Sequence, residues 1–253
     1  MASLSIARAD ALGPVRLFAR LLSAALLLIF CLPAHYLWRA ARQASPWPRL
    51  FLGGVARIFG AAVEIRGLPL KRDVFFIANH LSWMDILVMA GTTGTAFVAK
   101  DDVARTPVVG WLARLNNTVF VARTDRRSVA AQVDAVRAAV EAHQPITIFP
   151  EGTTGDGGGI LPFKASLLAV LSPPPRAMRV QPVLIDYGHA MAEIAWVGDE
   201  PGGENAARIL KRRGRFGARL TFLEPFDPAA CADRKAIAAE ARHRIAEALA
   251  SAS

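Results

Sequence analysis

The chain has 253 residues, of which 53% are hydrophobic and 20% are charged, which excludes a disordered chain and an ordinary soluble protein with a richly charged surface. Basic residues outnumber acidic ones by 30 to 21, giving a formal net charge of +9. This surplus predicts an anionic partner, either nucleic acid or the headgroups of an anionic membrane, and the apolar content favours the membrane.

An uncharged apolar stretch near the N-terminus runs from Leu21 to Trp38. As a helix it would extend about 27 Å, which is marginal for crossing a hydrocarbon core. Pro14 is suited to begin such a helix, and Pro33 to kink or end it. Arginines flank both ends, which favours a helix or helical hairpin embedded from the cytoplasmic face, although a span stays open.

Two other interpretations of this stretch are less favoured. A signal peptide lacks a clear small-residue cleavage site here, and a buried core helix would need cover on all sides. Pro46 and Pro48 lie in a segment that is predicted to separate the anchor from the rest. We therefore expect a membrane anchor and linker over residues 1–45 and a second domain over residues 46–253.

Beyond this segment, short β-rich runs alternate with helical patterns, which indicates an α/β domain with helices packed on a central sheet. The predicted strands are Ala62–Arg66, Val74–Ala78, Phe97–Ala99, Thr118–Val121, Ile146–Phe149, Val180–Ile185, Glu193–Trp196 and Arg219–Phe222. Helices are predicted over Ser82–Ala90, Val129–Val140 and Asp233–Leu249. Pro182 interrupts a strand, which predicts an edge strand or a bulge.

The run VFFIANHLSWMD places His80 where a strand ends and Asp85 five residues later. A loop-to-helix turn between them would bring the carboxylate back to the imidazole, fix its tautomer and stabilise an imidazolium. Ser82 and Asp85 also match a capping box, in which Asp85 would be a structural residue. From these residues alone the catalytic and structural interpretations are equally supported.

The run ITIFPEGTT predicts a buried strand followed by a tight turn. Such a turn can present Glu151 to a substrate hydroxyl while backbone amides near Gly152 face developing negative charge, but a solvated turn is the alternative. The run TVFVAR ends a predicted strand at Arg123, whose guanidinium would suit a phosphate or carboxylate headgroup.

Together, the blocks NHLSWMD, TVFVAR, FPEGT and QPV occur in the order found in glycerolipid acyltransferases, and the PFK run at Pro162–Lys164 also matches. The chain resembles this family, which includes 1-acylglycerol-3-phosphate acyltransferases, from about Val63 to Phe226. The resemblance implies a single α/β domain with a central mixed sheet flanked by helices, preceded by the N-terminal membrane-associated helix.

The resemblance also implies roles for individual residues. His80 and Asp85 would form the catalytic pair of the His-x4-Asp motif. Substrate-binding roles fall on Arg123, Glu151, Gly152, Thr153 and Lys164. No metal and no cofactor are implied, because acyl-CoA or acyl-carrier protein would serve as co-substrate. The expected partners are anionic membrane lipids and a lysolipid acceptor, without nucleic acid, at the cytoplasmic face of the inner membrane.

The implied reaction is acyl transfer from the thioester to a lysolipid hydroxyl, with 1-acylglycerol-3-phosphate as the first acceptor. Two positions depart from the phosphatidate-forming pattern: Thr154 stands where an arginine is usual, and Asn117 where a glycine is common. The FPEGTT form is more similar to the lyso-ornithine lipid acyltransferase branch, which gives the alternative acceptor. A non-catalytic membrane lipid-binding protein is the alternative from another functional class.

Overall fold

The computed structural model describes residues 11–121, 144–174 and 176–252. These residues contain a sheet of seven strands in the spatial order β1-β7-β6-β2-β5-β3-β4. The strands are β1 (Ala61–Arg66), β2 (Val74–Ala78), β3 (Ala96–Lys100), β4 (Val119–Val121), β5 (Ile146–Ile148), β6 (Arg179–Asp186) and β7 (Phe216–Phe222). Neighbouring strands are parallel except β6 and β7, which are antiparallel. The predicted mixed sheet is therefore confirmed.

Helices cover both faces of this sheet. They are α1 (Gly13–Ala40), α2 (Trp47–Ile58), α3 (Met84–Thr93), α4 (Asp101–Arg105), α5 (Val109–Leu115), α6 (Met191–Ile194), α7 (Gly202–Lys211) and α8 (Arg234–Ala252). On one face, Phe76 packs in a cluster with residues of α2, α3 and α7. On the other face, Phe75 and Ile77 pack with residues of α8 and a 3-10 segment, Ala165–Leu171. Cover on both faces explains why all of β2 is apolar.

The arrangement of β2, β5 and β6 positions the candidate site. β2 lies between β6 and β5 and runs parallel to both. The carboxyl ends of the three strands therefore meet at one edge of the sheet, where open α/β sheets bind ligands. The segments that follow them carry His80, Glu151 and Tyr187.

Three details of the sequence prediction need correction or lie outside the described part. Residues Glu193–Trp196 are not a strand, because Glu193 and Ile194 belong to α6. The prediction was wrong because a run of four residues is too short for its pattern to distinguish strand from helix. Pro182 lies in β6, which is an interior strand and not an edge. The predicted helix over Val129–Val140 falls outside the described residues.

Pro182 is tolerated because it lies at the end of the β6–β7 ladder, which begins at Val183. The Leu223 amide donates to the Pro182 carbonyl at 3.0 Å. The Leu223 carbonyl in turn accepts from the Gln181 side-chain amide, also at 3.0 Å. The Gln181 side chain therefore donates to a carbonyl that lies close to Pro182, which has no N–H to donate.

The N-terminal helix α1 has 28 residues, with Pro14 in its first turn and Pro33 inside it without ending it. By length and composition alone it is able to cross a membrane, and no other helix of the described residues meets that criterion. The sequence analysis missed α2, which begins in the segment predicted as a linker. Pro46 precedes it and Pro48 lies in its first turn, positions where proline favours a helix start.

Helix α1 packs against the rest of the chain along its length. Arg20 donates to the carbonyls of Ile209, Leu210 and Gly214 at 3.0–3.2 Å, and so satisfies carbonyls at the end of α7. At the other end, His35 is buried and shares a 2.8 Å hydrogen bond with Ser45. Leu17, Ala24 and Leu27 of α1 also pack against the core cluster that contains Phe76. Helix α1 is therefore attached to the α/β domain through its first half, and His35 to the connection that follows the helix.

Candidate active site

The turn after β2 is fixed to β6 by a buried amide side chain. Asn79 donates from Nδ2 to the Ile185 carbonyl at 2.9 Å, and its Oδ1 accepts from the Ile185 amide at 2.7 Å. Asn79 thereby reproduces the pairing of a backbone peptide and extends the β2–β6 contact beyond Ala78. The next residue, His80, is placed at the carboxyl edge of the sheet.

His80 and Asp85 lie in direct contact, as the loop-to-helix turn predicted. Nδ1 of His80 is 2.7 Å from Oδ2 of Asp85, whose side chain is fully buried in the first turn of α3. The same Oδ2 accepts from the amides of Leu81 at 2.7 Å and Ser82 at 3.0 Å. One carboxylate thus binds the backbone before the helix and orients the imidazole, so the two interpretations of Asp85 are compatible. The catalytic role itself stays a prediction.

The His80 ring lies against one aromatic side chain, which is backed by a second. It stacks on Phe149, which follows β5, with ring centroids 4.2 Å apart, and Phe149 stacks on Phe97 of β3. The His80 side chain is 19% exposed, so it is held on one side and open on another. Because Nδ1 contacts Asp85, the Nε2 atom is the ring nitrogen that remains for substrate chemistry.

Tyr187, which no sequence motif indicated, completes the contacts of the carboxylate. Its hydroxyl donates to Oδ1 of Asp85 at 2.6 Å, and its side chain is buried directly after β6. Its position at the carboxyl end of a central strand was the one available signal. The pairing partner lies 102 residues away, which the local motif could not reveal.

Glu151 lies beside this group in a tight turn after β5. Its side chain is 3% exposed, and within the described residues its Oε1 has no hydrogen-bond partner. Burial, reinforced by the charge of Asp85, raises the pKa of the Glu151 carboxyl to about 8, although backbone hydrogen bonds from His80 and Leu161 and the charge of Arg242 oppose the shift. A solvated turn carboxylate, the alternative from sequence, does not fit this burial.

The other predicted binding residues differ in their exposure, and one of them lies outside the described residues. Gly152 has a φ of 71°, which suits glycine, and its amide donates to the Phe149 carbonyl and closes the turn. Thr153 and Lys164 are exposed, and the Lys164 amide donates to the Pro150 carbonyl. Arg123 lies outside the described residues. No cluster of three or more metal-ligating side chains occurs among the residues that the structure describes.

The structure explains the residues at the two positions that depart from the phosphatidate-forming pattern, Thr154 and Asn117. The Thr154 hydroxyl donates to the Trp196 carbonyl, and the Trp196 amide donates to the Leu81 carbonyl at 2.8 Å. Thr154 therefore connects the glutamate turn to the segment after α6. Asn117 has a φ of 57°, a left-handed conformation that glycine adopts freely and asparagine tolerates.

Comparisons with known proteins identify the family and the fold. A family model described as Acyltransferase matches residues 62–186. A lyso-ornithine lipid O-acyltransferase from Brucella abortus is 32% identical over 253 residues, which cover 92% of this chain and 94% of that protein. A 1-acyl-sn-glycerol-3-phosphate acyltransferase from Neisseria meningitidis is 38% identical over 94 residues, or 37% of each chain. The crystal structure of PlsC from Thermotoga maritima has a TM-score of 0.70 at 21% identity, covering 94% of this chain and 95% of that chain, and shows the same fold.

Proposed function

The chain belongs to the acyltransferase family and is a lysolipid O-acyltransferase, and we propose that its acceptor is a lyso-ornithine lipid. The observation that carries this choice is coverage in sequence: a relative of that name matches 92% of the chain, whereas 1-acyl-sn-glycerol-3-phosphate acyltransferases match 37% and 55%. This choice reverses the order of acceptors given by the family resemblance alone.

Thr154 supports the same acceptor. Where phosphatidate-forming members usually have an arginine, this chain has a hydroxyl that is bonded to the Trp196 carbonyl. The side chain at this position therefore contributes no cation to a phosphate headgroup. One lost contact between an arginine and a charged ligand costs about 1.5–3 kcal/mol, which changes acceptor preference tenfold or more.

In the proposed mechanism, Nε2 of His80 removes the proton from the acceptor hydroxyl while Asp85 stabilises the imidazolium. The hydroxyl oxygen attacks the thioester carbonyl of acyl-CoA or acyl-carrier protein. The tetrahedral intermediate then expels the thiolate, which takes the proton from the imidazolium. The backbone amides of Thr153 and Thr154 are candidates for oxyanion stabilisation, since the Gly152 amide already donates to Phe149.

A competition assay tests the acceptor. Purified enzyme receives an acyl thioester with lyso-ornithine lipid and 1-acylglycerol-3-phosphate at equal surface density, and the products are measured by mass spectrometry. We expect a preference for lyso-ornithine lipid of about tenfold or more. Thr154→Arg should gain activity on 1-acylglycerol-3-phosphate, whereas Ser166→Arg, which adds the same charge at an exposed position, should not. A wild-type preference for the phosphate acceptor would contradict the proposal.

Membrane association follows from α1, and we propose that this helix is embedded from the cytoplasmic face and does not span. A helix of 28 residues is about 42 Å long, so a spanning helix would hold one end far from a domain on the other side. Here Arg20 contacts the end of α7, Leu27 packs against the core of the α/β domain, and Cys31 is buried. Large apolar side chains are nevertheless exposed along α1, including Phe18, Ile29 and Phe30 at 66–68%.

Anionic lipids are the proposed partners of the basic residues beside α1. Lys211, Arg213 and Arg215 are exposed at and after the end of α7. The Lys211 carbonyl accepts a 2.9 Å hydrogen bond from Arg16 of α1. Because these cations lie next to the membrane helix, they favour anionic headgroups over nucleic acid.

Cysteine labelling tests the membrane arrangement. With Cys31 and Cys231 replaced by serine, Ala11→Cys and Ala41→Cys place one thiol at each exposed end of α1. An embedded helix predicts that an impermeant maleimide labels both thiols in inverted vesicles and neither in intact spheroplasts. Labelling of the two thiols from opposite sides would instead establish a span. The protein should also resist a high-salt wash and require detergent for release, because salt does not weaken apolar burial.

A further inference from the structure

Both oxygens of the buried Asp85 carboxylate accept hydrogen bonds. Oδ2 accepts from Nδ1 of His80 and from two backbone amides, and Oδ1 accepts from the Tyr187 hydroxyl at 2.6 Å. We propose that Tyr187 is a positioning residue for acyl transfer, because its hydroxyl holds Asp85 with Oδ2 directed at the His80 imidazole. This inference rests on the proposed catalytic role of His80 and Asp85.

The Tyr187 hydroxyl is positioned by β6 and β7, and Asn79 joins the end of β6 to the turn that holds Asp85. Tyr187 directly follows β6, and the Asn79 amide bonds both backbone groups of Ile185, which fixes the β6 end to the β2 end. The Tyr187 ring packs edge-on against Phe216 of β7, with centroids 5.9 Å apart. The hydroxyl therefore reaches Asp85 from the rigid sheet, whereas the donors to Oδ2 come from the flanking turn.

A donor to Oδ1 is needed because Asp85 is fully buried. A buried carboxylate oxygen without a donor loses its hydration and gains nothing in return. The carboxylate would then rotate toward other donors, and the hydrogen bond to Nδ1 would weaken. Burial, with the adjacent charge of Asp85, raises the pKa of Tyr187 well above 10, so the phenol keeps its proton and remains a donor at neutral pH.

Tyr187→Phe tests the inference by removing one hydroxyl from the full-length enzyme in detergent. We expect kcat to fall about 10- to 100-fold, as for loss of a hydrogen bond to a charged group. The KM values for both substrates should change little, because the Tyr187 side chain is buried and its hydroxyl is bonded to Asp85. The control is Thr147→Val, which removes another fully buried hydroxyl, bonded to Thr95 at 2.9 Å. It should lower thermal stability and leave kcat unchanged.

Nitrogen NMR of ¹⁵N-histidine enzyme provides a readout that a purely structural role would not change. The wild-type His80 ring should show its proton on Nδ1, and the Phe variant should show a mixture of both tautomers. The His80 signal is assigned by its loss in His80→Ala. A Phe variant with wild-type kcat, or with an unchanged His80 tautomer, would overturn the proposal.

A double-mutant cycle separates this inference from the proposed function. In the His80→Ala background, Tyr187→Phe should cause no further loss, because there is no imidazole left to position. An additive loss would assign Tyr187 to general stability and overturn the proposal. Full activity of His80→Ala alone would instead reject the catalytic pair.

If Tyr187→Phe does not fold, fluorotyrosine replaces tyrosine in the Tyr36→Phe background, which leaves Tyr187 as the one labelled site because the chain has two tyrosines. Fluorination keeps the hydroxyl and makes it a stronger donor. Because a stronger bond to Oδ1 withdraws charge from Asp85, the ¹⁵N signal of His80 Nδ1 should shift while KM stays constant, and an unchanged signal overturns the proposal.

Discussion

The turn that carries the candidate catalytic pair and the N-terminal layer of α1 and α2 are built in different ways. In the turn, Asp85 contacts residues three to five positions earlier in the chain. In the N-terminal layer, Arg20 contacts carbonyls 189 to 194 positions later. In the first region the contact between His80 and Asp85 is specified by local sequence, although Tyr187 adds a donor from 102 positions later. The second region depends on long-range packing. Mutations in the two regions should therefore have different effects on activity and stability.

The largest expected effect is the loss of enzyme activity when a residue of the turn is mutated. His80→Ala should lower kcat by about 10²- to 10⁴-fold, the usual range for a general base, with little change in thermal stability. Thioester consumption and melting temperature measure the two effects. His243→Ala, on the exposed face of α8, is the control.

Asp85→Asn sharpens this prediction, because Asp85 both orients His80 and binds two backbone amides. We expect severe loss of activity, since an amide does not stabilise the imidazolium as a carboxylate does. Wild-type activity combined with a lower melting temperature would mean that Asp85 is only a capping residue.

The next largest effect is a pH-dependent stability difference at Glu151. Its pKa is about 8 in the folded chain, against about 4.3 in an unfolded one, so the folded state retains a proton that the unfolded state has lost. The free energy of unfolding therefore falls as pH rises through this window, by up to about 1.4 kcal/mol per pH unit. Below about pH 4.3 this destabilisation is absent, and above about pH 8 it is complete.

Glu151→Gln removes this titration, so its stability relative to wild type should increase steadily between about pH 5 and pH 8. Melting temperatures measured across this range in detergent test the trend. Glu204→Gln removes an exposed carboxylate as control. A constant difference between wild type and Glu151→Gln at all pH values would be inconsistent with the assigned burial.

A smaller effect is expected where α2 crosses α3. A Cβ on Gly91 would lie 2.4 Å from the Gly53 Cα atom, a backbone contact that no rotamer change relieves. Gly91→Ala should therefore destabilise the fold by about 1–3 kcal/mol. Gly203→Ala on α7 is the control, because nothing lies within 4 Å of its added Cβ. If Gly91→Ala melts like wild type, the helices are not in this contact.

The smallest predicted effect concerns the attachment of α1. Arg20→Ala should cost about 1 kcal/mol, since its hydrogen bonds to the end of α7 are partly exposed. For a chain of this size the melting temperature should fall by about 2–4 °C. Arg39→Ala, exposed on the same helix, should have a smaller effect. Equal effects of the two variants would show that Arg20 contributes only its charge.

The same contrast explains what the sequence predicted well. The reaction class, the mixed sheet and the contact between His80 and Asp85 followed from short motifs and strand patterns. Seven of the eight predicted strands overlap strands of the structure. Local patterns suffice there because a strand, a turn and a helix start are specified within a few residues.

The features that the sequence did not predict depend on long-range contacts. Tyr187 acquires its importance from a partner 102 residues away. The α2 segment has a proline at each side of Trp47 and resembles a linker, but its apolar side chains pack on α1 and α3. The interior position of Pro182 depends on a donor from the Gln181 side chain.

The contact between Gly53 and Gly91 has a consequence for kinetics. It joins α2, which packs on the membrane helix, to α3, whose first turn carries Asp85. If α1 is embedded in one leaflet, as proposed above, this close contact would fix the height of the reaction centre above the bilayer plane. A lysolipid then reaches the enzyme by lateral diffusion, without leaving its leaflet. Turnover in vesicles should accordingly follow the mole fraction of acceptor in the surface and not its bulk concentration.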